Sequence, residues 1–112
     1  MFYGCQNLTE SIPLSCDYIG FEGCKNMYGH CHNIVTANEI KVLNVGEFAF
    51  WNMFSNCWSL SSTALIKDLK VLSVACFGYM YADCYKLETA DYDMKYDEMP
   101  ARCCEGMFVD CA

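Results

Sequence analysis

Apolar or small residues recur at every fourth position in three stretches of the chain. A spacing of three to four residues places side chains on one face of an α-helix. The sequence therefore predicts a short amphipathic helix, about three turns long, in each stretch. The three stripes are Ile19-Gly23-Met27-Cys31, Val45-Ala49-Met53-Cys57 and Leu72-Cys76-Met80-Cys84.

Shorter segments between these stripes are typical of β-strands. Glu39–Leu43 alternates polar and apolar side chains, as a half-buried strand does, and Ala64–Ile66 is a short aliphatic run. Alternation and β-branched residues both favour an extended backbone. The predicted unit is therefore one short strand followed by one short helix.

The motif Met-aromatic-x-x-Cys occurs five times, beginning at Met1, Met27, Met53, Met80 and Met107. The near-constant interval, roughly 26–27 residues, lies in the range of leucine-rich-repeat-like solenoids. We therefore predict an α/β, leucine-rich-repeat-like solenoid in which each repeat, called a coil below, contains a strand and a helix. The expected single domain, 1–112, comprises coils 1–26, 27–52, 53–79 and 80–106, with a partial fifth coil at 107–112.

Ten cysteines in 112 residues would by composition suggest a small disulfide-bonded scaffold. Repetition changes this interpretation, because one cysteine per coil stacks on its own copies as an internal ladder of buried thiols. Helical copies would lie too far apart for disulfides. Cross-linking that involves Cys16, Cys24, Cys103 or Cys104 stays open, as does metal binding near His30-Cys31-His32, although no CxxC motif is present.

Charge and composition exclude several functional classes. Seven basic and 14 acidic residues give a net charge of −7, which argues against nucleic acid and anionic membrane surfaces as partners. A hydrophobic content of 54% excludes a disordered tail, and no apolar run is long enough to span a membrane.

Motifs for catalysis or cofactors are missing from the sequence. It contains no phosphate-binding glycine loop, nucleophile elbow or HExxH motif. Asp91, Asp93, Asp97 and Glu98 form an acidic cluster that suits either a solvated edge or calcium, but it lacks EF-hand spacing. We predict that the chain is not an enzyme and needs no cofactor or metal.

One repeat position varies in a way that indicates a surface. It holds Gln6, His32, Trp58 and Tyr85 in successive coils. Exposed aromatic residues presented by neighbouring coils suit a binding surface. Further candidates lie on the predicted strand face and turns. The full set of predicted binding residues is Glu10, Thr36, Asn38, Trp58, Ser62, Tyr85, Thr89 and Asp91.

The motif Met-[Phe/Tyr]-x-x-Cys-x-x-[Leu/Ile] resembles the BspA-like (Treponema pallidum type) leucine-rich repeats, in particular the Bacteroides surface-protein variant. Residues 1–9 match its Met-Phe-x-Gly-Cys-x-x-Leu-Thr segment at every defined position, and residues 76–81 closely resemble its Cys-Tyr-x-x-Met-Phe junction. The other half of each coil departs from the Pro/Thr-rich segment of that family. The resemblance implies a non-enzymatic bacterial protein, at the cell surface or secreted, that binds a protein or glycan ligand in adhesion.

Neither end of the sequence resembles the polar cap that a solenoid requires. The first residues, Met1–Cys5, also contain no basic, signal-like segment. We therefore expect a fragment of a longer solenoid, or ends that dock on other copies of the chain. The second possibility gives an alternative function, a structural fibre, sheath or phage-tail component that assembles by end-to-end stacking of coils.

Overall fold

The computed structural model describes residues 2–87, 106–107 and 111. Within them, three strands form one parallel sheet. The strands are β1 (Leu14–Ile19), β2 (Ile40–Val45) and β3 (Ile66–Lys67), in that order across the sheet. Each strand thus pairs with its copy in the adjacent coil.

The strand register reproduces the sequence repeat. Leu14 pairs with Ile40, and Ile40 pairs with Ile66, so each strand is followed by its partner one repeat later in the chain. β2 overlaps the strand predicted at Glu39–Leu43, and β3 begins at the last residue of the one predicted at Ala64–Ile66. Successive coils therefore lie one above another in parallel.

The predicted helices are not found in the described residues. Runs of tight turns occupy residues 21–30, 47–56 and 74–83 instead. Between residues 22 and 31, odd-numbered amides donate to the carbonyl three residues back, as Met27 N does to Cys24 O at 3.2 Å. Even-numbered amides donate to the next coil, as Cys24 N does to Ala49 O at 2.7 Å. The prediction of an α/β, leucine-rich-repeat-like solenoid with a strand and a helix in each coil is therefore wrong.

The four-residue spacing explains why turns replace helix. Four residues of an α-helix rotate through about 400°, so a strict four-residue stripe drifts around the helix axis. In a turn run with a four-residue period, the same stripe stays on one face. Each amide of an α-helix also bonds within its own segment, whereas here every second amide remains available to join the coils.

Left-handed backbone recurs at every fourth residue of the turn runs, with φ between 50° and 60°. This conformation costs an ordinary L-residue about 1–2 kcal/mol, and Asn, Asp and His adopt it most readily. Equivalent left-handed residues of successive coils form three columns: Glu22, Phe48 and Ala75; Asn26, Asn52 and Tyr79; and His30, Asn56 and Asp83. Five of the six residues in the second and third columns are Asn, Asp or His, so the local sequence favours turns there.

The core lies between the sheet and the turn runs, and a column of parallel aromatic rings fills its centre. The rings of Phe2, Tyr28, Phe54 and Tyr81 follow one another at centroid distances of 5.3, 5.3 and 5.6 Å. Their planes deviate by 8° or less, which is an offset-stacked arrangement that adds to the burial of apolar area.

Two of these rings also bond the backbone. The hydroxyl of Tyr28 accepts a hydrogen bond from Ile12 N at 2.9 Å, and that of Tyr81 accepts one from Ala64 N at 3.0 Å. Both tyrosine rings are buried, and the Ala64 amide is buried as well, so the Tyr81 hydroxyl satisfies an amide that water cannot readily reach.

In the coil between those of Tyr28 and Tyr81, the equivalent amide has a different acceptor. The stacked ring of this coil is Phe54, which has no hydroxyl. The amide one repeat from those of Ile12 and Ala64 is that of Asn38. This amide donates to Ser11 Oγ at 2.7 Å, while Asn38 Nδ2 donates to Ser11 O at 2.6 Å. The stacked ring is thus a tyrosine where its hydroxyl accepts from this amide, and it is Phe54 where Ser11 accepts instead.

The substitution Tyr81→Phe is expected to lower the free energy of unfolding by about 1–3 kcal/mol, because it leaves the buried Ala64 amide without its acceptor. The ring itself stays in place. Urea denaturation followed by circular dichroism measures the change. Tyr85→Phe, which removes an exposed hydroxyl, is the control and should change stability by less than about 0.5 kcal/mol. Equal stability of the two variants would contradict the assigned hydrogen bond.

Four of the five cysteines of the repeat motif donate to the backbone of the preceding coil. All eight cysteines in the described part of the chain are thiols, and Cys57 and Cys84 are fully buried. Burial raises the pKa of the Cys57 thiol and raises that of Cys84 to about 12, so both remain protonated donors at neutral pH. The Sγ–O distances are 2.9 Å for Cys31–Phe2, 3.2 Å for Cys57–Tyr28, 3.1 Å for Cys84–Phe54 and 3.0 Å for Cys111–Tyr81.

Candidate functional site

The aromatic row consists of His32, Trp58 and Tyr85, which occupy one repeat position just beyond the turn runs. The rings of His32 and Trp58 stack at a centroid distance of 3.6 Å with an angle of 6° between planes. Trp58 and Tyr85 are 6.3 Å apart and tilted by 33°. The structure thus brings together two of the predicted binding residues and adds a histidine to them.

Stacking along the row decides which part of each ring is accessible. Trp58 is 43% exposed and Tyr85 is 51% exposed. Because His32 covers one face of Trp58 and Tyr85 flanks the other, Trp58 offers mainly its edge to solvent. The row is therefore a ridge in which Trp58 presents a ring edge and not an open ring face.

His32 supports this ridge from the first-coil side. Its Nε2 atom is buried and has no hydrogen-bond partner among the described residues. Its ring also meets that of His30 at 6.0 Å, nearly edge-on. These contacts hold His32 against Trp58 and limit the conformations open to the indole.

The predicted strand-face residues form a separate group. Glu10 and Thr36 are exposed and pair as a parallel bridge, and Ser62 at the equivalent position of the next coil is half-buried. Asn38 differs from them, because its side-chain amide already donates to Ser11 O. Asn38 therefore holds adjacent coils together, which leaves its amide less free for a ligand.

The remaining predictions lie outside the described residues. They concern Thr89 and Asp91, together with the acidic cluster that includes Asp93, Asp97 and Glu98. Thr89 and Asp91 thus stay predictions from the sequence.

The His30-Cys31-His32 segment is not arranged for a metal ion. The Cys31 thiol donates to Phe2 O, and His32 stacks on Trp58. Among residues 2–87, 106–107 and 111, no group of three or more His, Cys, Asp or Glu side chains is placed to hold a metal. The same part of the chain has no helix of the length and apolar character needed to cross a bilayer.

A groove with a volume of about 510 Å³ opens on the turn runs. Its lining comes from the second and third columns of left-handed residues, with Ser55 and Ala82 lying between those columns in the sequence. Tyr3, in the first coil, also lines it. The lining residues are Tyr3, Asn26, His30, Asn52, Ser55, Asn56, Tyr79, Ala82 and Asp83.

The spacing of apolar residues does not predict this groove. A signal was present, since Asn26 and His30 in one coil, and Asn52 and Asn56 in the next, recur at four-residue spacing. These residue types tolerate left-handed backbone, so their repetition indicates turn corners with outward polar side chains.

Comparisons with known proteins found no relative that would assign the chain to a family or a function. No family model matches the chain, and no curated protein or solved structure is significantly similar to it.

Proposed function

We propose that this chain is a non-enzymatic recognition module of a cell-surface or secreted protein, and that the aromatic row contacts a protein partner. The proposal rests on one observation, the exposed ridge at Trp58 and Tyr85, in which Trp58 presents its ring edge. Large aromatic residues held in a fixed orientation are the side chains that contribute most to protein interfaces.

The geometry of the row favours a protein over a glycan at this place. Sugar rings bind aromatic side chains through the ring face, and the faces of Trp58 are flanked by His32 and Tyr85. Ring edges suit insertion into a pocket on a protein surface. Little entropy is lost on binding because the neighbouring rings already restrict the indole.

Two further considerations support recognition without chemistry. The buried thiols are poor nucleophiles, since burial raises the pKa of Cys24 to about 11 and that of Cys84 to about 12. The resemblance to BspA-like repeats adds an extracellular, adhesive role. Exposed Glu10 and Thr36 form a second, separate group of candidate contact residues on the strand side.

The double substitution Trp58→Ala/Tyr85→Ala is expected to weaken binding to a protein partner at least tenfold and to leave the fold intact. Truncating two aromatic residues at the centre of an interface typically costs about 2 kcal/mol or more. Biolayer interferometry against a panel of immobilised plasma and mucosal proteins identifies a partner and measures the change.

Tyr18→Ala provides a matched control, because Tyr18 on β1 is 62% exposed and lies outside the row. It should bind as the wild type does. Unchanged binding of the double variant would refute the proposal, as would a loss of the folded-state circular dichroism signal. Concentration-dependent growth in light scattering without any binding would favour the alternative function, a self-assembling structural component.

A further inference from the structure

We propose that the groove on the turn runs binds a neutral oligosaccharide. This inference goes beyond the proposed function, because the groove and the aromatic row are different surfaces and each can fail its test alone. The groove has the shape of a ligand site, walls that match sugar chemistry, and few charges.

The shape follows from the left-handed corners. Asn26 and Asn52 belong to one column and His30 and Asn56 to the next, so polar side chains repeat from coil to coil on both sides. Adjacent coils are about 5 Å apart, as the 5.3 Å between the stacked rings of Tyr28 and Phe54 indicates. The groove thus presents polar side chains at regular intervals along the stack, with Tyr79 and Asp83 in the places that Asn52 and Asn56 hold one coil earlier.

Small residues between the columns keep the groove open. Ser55 and Ala82 occupy that position in two successive coils, and both are buried. Gly29 holds the equivalent position one coil earlier, where a Cβ atom would lie 3.0 Å from the ring of Tyr3. The volume of about 510 Å³ lies within the usual range for small-ligand sites, roughly 300–1,000 Å³.

The walls offer groups that match sugar hydroxyls. A side-chain amide provides two donors and one acceptor oxygen, and a hydroxyl likewise both donates and accepts. Within the described residues, the side-chain amides of Asn26 and Asn52 have no hydrogen-bond partner, whereas Asn56 Nδ2 lies 3.5 Å from His30 Nε2. The side-chain amides of Asn26 and Asn52 are therefore available to a ligand, and that of Asn56 is held near His30 at one wall of the groove.

Aromatic rings supply the apolar contacts that sugar rings also need. Tyr3 packs on His30 at 5.1 Å with a 59° tilt, and Tyr79 packs on Trp51 at 5.0 Å with a 65° tilt. Both tyrosines line the groove. Their aromatic neighbours are tilted, and Gly29 and Gly106 pack against the rings of Tyr3 and Tyr79, so each tyrosine offers the groove the part of its ring that these contacts leave open.

The charges of the groove disfavour other ligand classes. Among the described residues that line it, Asp83 is the one acidic side chain, and there is no lysine or arginine. Phosphates and carboxylates would lack a cationic partner in a chain with a net charge of −7. The polar walls do not suit a lipid or a purely apolar ligand.

A glycan array tests the proposal, followed by isothermal titration calorimetry with neutral gluco-, xylo-, manno- and N-acetylglucosamine oligomers. We expect one of these neutral classes to bind, and sialylated or sulfated glycans to bind at least tenfold more weakly. No binding of any neutral oligomer at millimolar concentration would overturn the proposal. Stronger binding of the anionic glycans would also overturn it.

The substitution Asn52→Gly/Asn56→Gly locates the site. Glycine retains the left-handed backbone, so only the amides are lost, and we expect affinity for the neutral oligomer to fall at least tenfold. Glu22→Gly is the matched control, since Glu22 has φ 55° but does not line the groove, and it should bind within twofold of the wild type.

The outcome separates this proposal from the one for the aromatic row. Trp58→Ala/Tyr85→Ala should retain oligosaccharide binding even where it loses a protein partner. If that variant loses the oligosaccharide while Asn52→Gly/Asn56→Gly keeps it, the sugar binds the row and the groove proposal is wrong.

Discussion

Replacing Phe54 by alanine is expected to remove about 3–5 kcal/mol from the free energy of unfolding. Phe54 is fully buried and stacks between Tyr28 and Tyr81, at 5.3 and 5.6 Å. The substitution removes a ring from the centre of the column, and the rings on both sides lose a partner. Rigidly paired coils cannot close the cavity, so the cost should fall in the upper part of the range for such substitutions.

A loss of this size is a large fraction of the stability of a small domain, which is usually about 5–15 kcal/mol. Urea denaturation followed by circular dichroism measures it. Phe21→Ala is the matched control, because Phe21 is 63% exposed and has one edge contact, with Phe48 at 6.1 Å. That variant should lose less than about 1 kcal/mol. If Phe54→Ala were no more destabilising than Phe21→Ala, the stacked column would not exist in solution.

Cys16 is expected to react with N-ethylmaleimide at least about a thousandfold faster than Cys57 or Cys84. Cys16 lies exposed on β1, whereas the other two thiols are fully buried and donate to backbone carbonyls. A buried thiol reacts only when the structure opens, and core openings approach the free energy of global unfolding. Peptide mapping by mass spectrometry after timed labelling resolves the individual sites.

Cys57 and Cys84 should remain the slow sites as the pH rises from 7 toward 9. Burial raises the pKa of Cys57, and that of Cys84 to about 12, so these thiols stay protonated in the folded protein. Labelling in urea provides the control, because all three sites should then react at similar rates. Rapid labelling of Cys57 in the native protein would contradict the thiol ladder.

The repeat period was the most informative feature of the sequence for the fold. The near-constant interval between copies of one motif corresponds to the register of β1, β2 and β3, which aligns Leu14, Ile40 and Ile66. A strand near Ile40 could be predicted because Glu39–Leu43 alternates clearly. Strand β1 was harder to recognise, since four of its six residues are exposed and Pro13 precedes it.

The helix prediction failed for a specific physical reason. A stripe such as Val45-Ala49-Met53-Cys57 fits both a helix and a four-residue turn repeat, and apolar spacing alone does not separate them. The distinguishing signal lay in the polar positions, where Asn52 and Asn56 favour left-handed corners. Bonds to a neighbouring coil complete the turns, and a single segment read in isolation does not reveal those bonds.

The two surfaces differ in how far the sequence could identify them. Variation from Gln6 to Tyr85 at one repeat position indicated an exposed site, and Trp58 and Tyr85 are exposed. Asn38 could not be distinguished from Thr36 by the same reasoning, because its bond to Ser11 joins two coils. The groove depends on backbone conformation at its corners, so apolar patterning gave no indication of it.

The alternating amides of the turn runs have a mechanical consequence. Hydrogen bonds between coils form on the turn side as well as in the sheet, so the junctions joined by the β1–β2 and β2–β3 pairs are held on two sides of the core. Tension along the stack would load all bonds of one junction together, whereas the junctions themselves lie in series. The weakest junction would therefore yield first, and extension would proceed in steps of one coil.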